Sequence, residues 1–259
     1  MPISGPDILL YEKKDKVVTL TINRPERMNA ISLELAERMD KAWTQFRDDD
    51  DAWVCILTGA GKKAFCSGWD LLDQVERNKQ GLGLPKNMPQ YWPYEIWKPI
   101  ICAVNGFAIA GGFQLAQGCD VRIAANGAEF GIAETRWNMP AWWVCDITRQ
   151  LQLGHALEIA LWGDRRITAQ RAYEMGWVNK VVAPDDLMKE ATSWAERMTN
   201  LAPRCVQNLK EIIYRGFYAV PHEARRFGEA LEANLKGMED SLEGPKAFAE
   251  KRKPQFKNR

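Results

Sequence analysis

Apolar positions along the chain follow two different periods. In Val17-Val18-Thr19-Leu20-Thr21-Ile22 they alternate with threonine and are β-branched, which predicts a strand. Asn23-Arg24-Pro25 breaks that alternation. From Ser32 to Asp48 the spacing becomes helical, with Leu33, Leu35, Ala36, Met39, Ala42, Trp43 and Phe46 on one face. Trp53 to Thr58, ended by Gly59-Ala60-Gly61, and Ile100 to Val104, ended by Asn105-Gly106, are short apolar runs that predict buried strands closing on glycine turns. Val121 to Ala124 begins another strand. Between the two runs, Asp70 to Trp97 is polar and is broken by Gly81-Leu82-Gly83-Leu84-Pro85. It predicts a mobile, ligand-bordering loop that leads into Tyr91, Trp92, Tyr94 and Trp97.

Beyond residue 140 the pattern is helical: Thr168 to Met175, Pro184 to Leu201, Pro203 to Phe217 and Pro221 to Lys236, several opened by a cap or by proline in the first turn. With no repeat or low-complexity linker, the expectation is one α/β unit: a core over residues 1–200 and a helical extension over 201–259 serving assembly.

Composition narrows the function. The 259 residues carry 35 Lys+Arg against 34 Asp+Glu, a net charge of +1, which argues against nucleic-acid or membrane binding led by charge. Hydrophobic residues make up 46%, enough for a substantial core. The longest apolar stretch, Ile100 to Ala116, is interrupted by Asn105, Gly106 and Gln114 and is too short for a membrane span. Met1 to Lys14 lacks a basic head before an apolar segment, so a cytoplasmic address is expected. The six cysteines contain no Cys-x-x-Cys pair and sit mostly in apolar company, as buried free thiols would. His155 and His222 have no ligand-like cluster around them, so no metal site is expected. Tryptophan is abundant, and Trp137, Trp142 and Trp143 fall close together, where something flat or greasy could be held.

Two loops are candidates for presenting backbone N–H groups: Ala64-Phe65-Cys66-Ser67-Gly68-Trp69-Asp70 and Asn105-Gly106-Phe107-Ala108-Ile109-Ala110-Gly111-Gly112-Phe113-Gln114. In the second, a glycine pair precedes a short apolar helix from Phe113 to Gln117. An unpaired N–H at Gly111 would then face an anion with no Cβ in the way. A tight turn packed on a neighbouring strand would use the same residues.

Taken together, these segments resemble the crotonase (enoyl-CoA hydratase/isomerase) superfamily. The resemblance runs from Asn23-Arg24-Pro25-Glu26-Arg27-Met28-Asn29-Ala30 through both loops, Cys119-Asp120 and Phe130-Gly131-Ile132-Ala133-Glu134. It continues through Leu161 to Ala169 and Gly176-Trp177-Val178-Asn179 to Phe248-Ala249-Glu250-Lys251-Arg252-Lys253-Pro254. It implies a spiral of repeated ββα units whose C-terminal helices pack subunits into trimers or dimers of trimers. It also implies an acyl-CoA thioester substrate, with coenzyme A arriving as part of that substrate and no permanently bound cofactor. By motif position, the backbone N–H groups of Trp69 and Gly111 would form an oxyanion hole, leaving the Trp69 side chain for another role.

The family's hydratases use two glutamates. Here the later one is Glu134, while the earlier position is Gln114, which can hydrogen-bond but cannot exchange a proton. Glu134 lies near Phe130, Trp137, Met139 and Trp142. Buried there it would have a raised pKa, whereas at the surface it would pair with Arg136. The alternative for Gln114 is a capping or solvent-facing amide on a short helix. One carboxylate suffices for double-bond isomerisation, for syn addition of water held by Gln114, or for the aromatic hydratase-lyase chemistry that the sequence from Glu134 to Pro140 partly resembles. Hydration of a 2-enoyl-CoA is the leading expectation, and a non-catalytic CoA-ester-binding protein is the alternative from another class. Trp142 stands where the family lines its acyl pocket, and there it would shorten the pocket or else pack in the core. Asp146 is expected in the first turn of a helix, as a dipole partner. For coenzyme A the resemblance points to Arg24, Arg27 and the Ser67-Gly68-Trp69-Asp70-Leu71 loop, with Trp137 beside the acyl group. The basic tail from Lys251 to Arg259 would reach a phosphate in a neighbouring subunit or end in solvent.

Overall fold

The computed structural model describes residues 7–82, 95–139, 141–217 and 219–259. Among these residues ten strands form two sheets. The first sheet contains, in spatial order, β1 (Leu9–Lys14), β2 (Val17–Ile22), β3 (Val54–Gly59), β5 (Ile100–Val104), β7 (Val121–Ala125) and β10 (Lys180–Val182). Apart from the β1–β2 hairpin its pairings are parallel. The second sheet orders β4 (Ala64–Cys66), β6 (Phe107–Ile109), β8 (Glu129–Gly131) and β9 (Ile167–Thr168), with β4, β6 and β8 parallel.

Connectivity makes this a spiral. Three times the chain runs a strand in the first sheet, a strand in the second and then a helix: β3, β4 and α2 (Leu71–Lys79); β5, β6 and α3 (Gly111–Gly118); β7, β8 and α4 (Glu134–Trp137). The ββα expectation is met turn by turn. β3 and β5 are buried along their whole length, which is why they read as continuous apolar runs and not as alternations.

The helix predicted from Ser32 is α1 (Leu33–Asp48), and the Ser32 hydroxyl accepts from the Leu35 amide at 3.2 Å. Leu35, Met39, Trp43 and Phe46 are buried, whereas Leu33 faces outward, because the first residue of the helix lies off the packed stripe. Behind α3 the core is aromatic: Phe113 stacks on Trp177 with centroids 4.3 Å apart, and Phe130 meets the same ring edge-on at 5.0 Å. On the other face of the first sheet, α7 (Leu187–Thr199) packs Leu187, Ala191 and Ala195 against Ile56, Ile101 and Ile123.

The C-terminal region is helical as expected, with α8 (Pro203–Gly216), α9 (Pro221–Ala233) and α10 (Glu239–Ala249). Leu209 and Ile213 on α8, Leu242 and Phe248 on α10, and Leu153, Leu157 and Leu161 on α5 (Leu153–Leu161) are exposed. No described helix is long and apolar enough to cross a membrane.

Several expectations are corrected. The segment after Asp70 is not a loop from its start: Asp70 caps α2 by accepting from the Leu72 amide at 3.2 Å. Of its aromatic stretch, Tyr91, Trp92 and Tyr94 lie outside the described residues, as does Pro140. Cys145 is exposed and Cys205 only half-buried, while the other four thiols are buried. Asp146 is not in a first helical turn. It sits inside a 3-10 segment (Trp142–Arg149) and pairs with Arg149 at 3.0 Å.

Candidate active site

The second sheet gathers three chain segments. Cys66 pairs with Ala108, Ala108 with Phe130, and Ile109 with Gly131, so β4, β6 and β8 end side by side. From those ends the chain leaves as Ser67–Asp70, Ala110–Gln114 and Ile132–Glu134. The crevice outside the carboxyl ends of parallel strands is where α/β sheets place ligands.

The two candidate N–H loops touch. Gly68 has a φ of +97°, and a Cβ there would stand 2.8 Å from the Ala110 Cβ and 3.2 Å from the Gly111 nitrogen. At Gly112 a Cβ would fall 1.9 Å from the Cys66 carbonyl oxygen. Only glycine fits either position: the close packing that a tight turn demands is also what brings the two loops together. Gly111 opens α3, and a first-turn amide has no acceptor within its own helix. Around Trp69, the Gly68 carbonyl accepts from Ile31 and the Asp70 amide donates to Ile31, so the groups flanking the Trp69 N–H make the bridge to Ile31. Ala110, between the loops, has φ 55° and ψ −123°, a conformation that costs a non-glycine residue about 1–3 kcal/mol. Its amide is tied to the Gly131 carbonyl at 2.9 Å. Nothing in the residue type signalled this strain.

Glu134 opens α4 and is buried, 6% exposed. The alternative of a surface pair with Arg136 is excluded, since that guanidinium lies over the Trp137 ring at 5.5 Å. Burial pushes the Glu134 carboxyl up to about 7, against bonds from its own amide and that of Ala133, which favour the anion. Its Oε2 finds no partner among the described residues. Gln114 is 4% exposed, and neither its Oε1 nor its Nε2 is bonded, so it is neither a cap nor a solvent-facing amide. The Trp69 indole Nε1 is also sealed in without a partner.

The residues expected to meet coenzyme A already have partners within the chain. Arg24 and Arg27 converge on Asp70, each with a guanidinium nitrogen 3.2 Å from its carboxylate, and Arg24 also donates to the Ala30 carbonyl. Burial alone would raise the Asp70 carboxyl, but the Arg24 bond, the Leu72 amide and the Arg27 charge hold it below the usual carboxylate range. Asp70 and Arg24 therefore brace the loop, and Arg27, only 41% exposed, is drawn into the same brace. Ser67 is half-buried with its amide on the Met28 carbonyl, and Leu71 is exposed on α2. Trp142 is 67% exposed and Trp137 is also exposed, so neither packs in the core; the buried member of the group is Trp143. The basic tail folds back on this chain, with Arg252 on Glu243 and Glu250, and Arg259 on Glu239.

A separate cavity of about 410 Å³ opens at the N-terminal ends of β5 and β7, lined by Pro99, Asp120, Arg122, Lys210 and Tyr214 among others. Its polar lining is internally bonded. Asp120 receives the Ile100 amide, the Lys210 ammonium and the Tyr214 hydroxyl, and Arg122 donates to the carbonyls of Trp177, Ala116 and Cys119.

Residues 12–259 match the model of the enoyl-CoA hydratase/isomerase family. An enoyl-CoA hydratase of Mycobacterium tuberculosis is 35% identical over 99% of this chain and 98% of its own. The (E)-benzylidenesuccinyl-CoA hydratase of Thauera aromatica is 34% identical over 95% of this chain and 97% of its own. Among solved structures, an enoyl-CoA hydratase from Mycobacterium tuberculosis superposes with a TM-score of 0.90 at 30% identity, covering 97% of this chain and 99% of that one.

Proposed function

The chain belongs to the enoyl-CoA hydratase/isomerase family, and from that premise we propose that it is an enoyl-CoA hydratase working with one carboxylate, Glu134. The observation that carries this is a buried glutamate, with no cation beside it among the described residues, whose pKa burial raises to about 7 and whose segment leaves the strand next to two converging amide loops. The backbone N–H groups of Trp69 and Gly111 take the thioester oxygen and stabilise the enolate that forms as C3 is attacked; one such donor is worth about 3–4 kcal/mol in comparable sites. Ionised Glu134 takes a proton from water as the water oxygen bonds to C3. The same proton then passes from Glu134 to C2, completing a syn addition and restoring the carboxylate. Gln114 holds the water, accepting through Oε1 and donating through Nε2.

Coenzyme A enters as part of the substrate, along the Ser67 to Leu71 loop with Arg27 at its rim, and Trp137 and Trp142 border the acyl end. The exposed leucines of α5 and the apolar faces of α8 and α10 support assembly of the 201–259 extension into trimers or dimers of trimers. A second activity fits the same groups: since Gln114 cannot exchange protons, Glu134 alone could carry one between C4 and C2 of a 3-enoyl-CoA.

The test is turnover of crotonyl-CoA, a 3-enoyl-CoA and a hydroxycinnamoyl-CoA by wild type, Glu134→Ala and Gln114→Glu. Crotonyl-CoA hydration that needs Glu134 and rises with Gln114→Glu establishes the hydratase. A Glu134-dependent shift of the 3-enoyl bond without hydration makes it an isomerase, and cleavage of the aromatic ester makes it a hydratase-lyase. If Glu134→Ala leaves function intact, the chain is a binding protein.

A further inference from the structure

Among the described residues, eight buried side-chain atoms lack a hydrogen-bond partner, and four of them belong to Trp69, Gln114 and Glu134. Such atoms are rare in folded proteins because each costs the desolvation of a polar group. Their concentration on three residues that leave the ends of adjacent strands marks a place prepared for polar contacts from a ligand. Gln114 follows Gly111 by three residues on α3, so both lie on one face of that helix. The indole of Trp69 hangs from the residue whose own amide forms half of the proposed hole. An acyl chain whose thioester oxygen rests on that amide therefore starts within one side-chain length of Nε1.

The hydrogen-bonding capacity exceeds what a hydrocarbon enoyl thioester and one water can use. The thioester oxygen takes the two backbone donors. The water donates to Glu134 and to Gln114 Oε1 and accepts from Gln114 Nε2. Trp69 Nε1, which can only donate, is left over, and a hydrocarbon tail offers it nothing.

We infer that Trp69 is a specificity residue whose indole N–H selects acyl groups bearing an uncharged oxygen acceptor, a carbonyl or a hydroxyl, beyond the reacting double bond. An uncharged acceptor follows from the surroundings. The indole and the Gln114 amide are neutral donors, the Arg24 and Arg27 guanidinium groups are committed to Asp70 of this loop, and Glu134 adds negative charge when ionised. Among the described residues no cation is left to pair a second carboxylate buried in this site.

This inference rests on the enoyl-CoA reading, and the test separates the two. Three substrates of one shape are compared on wild type and Trp69→Phe: glutaconyl-CoA, its isostere with a methyl ketone in place of the carboxylate, and its isostere with an isopropyl group there. The phenylalanine variant keeps the backbone N–H and an aromatic ring; it removes the indole donor and some ring volume, and the volume change acts alike on the ketone and its isopropyl isostere. Wild type is expected to favour the ketone over the isopropyl compound by about tenfold in kcat/KM, and Trp69→Phe to reduce that ratio to near one. Equal kcat/KM for ketone and isopropyl compounds in wild type overturns the inference, as does a preference that survives Trp69→Phe. A preference for glutaconyl-CoA over the ketone overturns the uncharged assignment. Dissociation constants of the saturated analogues, measured by calorimetry, report the same ratio without catalysis. They decide the inference even if no hydration occurs, and the wild-type values decide the acyl preference even if the variant does not fold.

Discussion

Two regions of this molecule bury polar side chains, and they treat them in opposite ways. At the N-terminal ends of β5 and β7, Asp120 and Arg122 are surrounded by partners: an amide, an ammonium and a phenol for the carboxylate, three carbonyls and the face of Trp177 for the guanidinium. At the C-terminal ends of β4, β6 and β8, Glu134, Gln114 and Trp69 keep polar atoms without partners, beside an alanine in a strained backbone conformation. The first arrangement holds strands and helices together. The second costs stability and leaves bonding capacity unused, which is why we propose it, and not the bonded cluster, as the functional site.

The contrast can be broken at either end, beginning with the largest expected effect. Glu134→Gln should lower hydration turnover by about 10³-fold or more while leaving binding of a saturated CoA ester within a few-fold, as steady-state kinetics and calorimetry would show. In wild type, kcat/KM for hydration should rise with pH through about 7, because the proposed mechanism uses the ionised carboxylate as the base and burial has raised its pKa. The residual activity of Glu134→Gln should lack that inflection.

At the bonded end, Arg122→Met strands three buried carbonyls and should cost about 3–5 kcal/mol in urea unfolding. Such a variant that is as stable as wild type would remove the distinction between the regions. The opposite sign is expected from Glu134→Gln measured as stability. The folded-state pKa of Glu134 is raised, so wild type loses stability as pH climbs from the ordinary glutamate value toward about 7, and the amide does not. Above pH ~8 the variant should be more stable by about 2–3 kcal/mol, with the gain gone below the ordinary glutamate pKa. The smallest effect belongs to Gln114→Met, which removes both orphaned atoms at similar volume. It should raise stability by about 1–2 kcal/mol while slowing hydration, read by thermal unfolding and turnover on the same preparation.

Much of the fold was legible in the sequence because its signals are local. The alternation over Val17–Ile22, the helical stripe after Ser32 and the apolar runs at Val54 and Ile100 each follow from side-chain period and burial within one element. The family motifs likewise pointed to the Gly68 and Gly111 loops and to Glu134 before any coordinates. What a linear reading could not decide was partnership. Whether Glu134 is buried or paired with Arg136, whether Arg24 faces a ligand or Asp70, and which tryptophan of Trp142 and Trp143 enters the core depend on segments far apart in the chain.

The sequence by itself determined the longer strands and helices, pointed through its family resemblance to a ββα spiral, and supplied the residue types proposed for acid–base and oxyanion chemistry. The tertiary structure alone decided which polar atoms lose water without gaining a partner. Desolvation and hydrogen bonding are set by everything that surrounds an atom, and here those surroundings come from three strands, two loops and a helix brought together only when the chain folds.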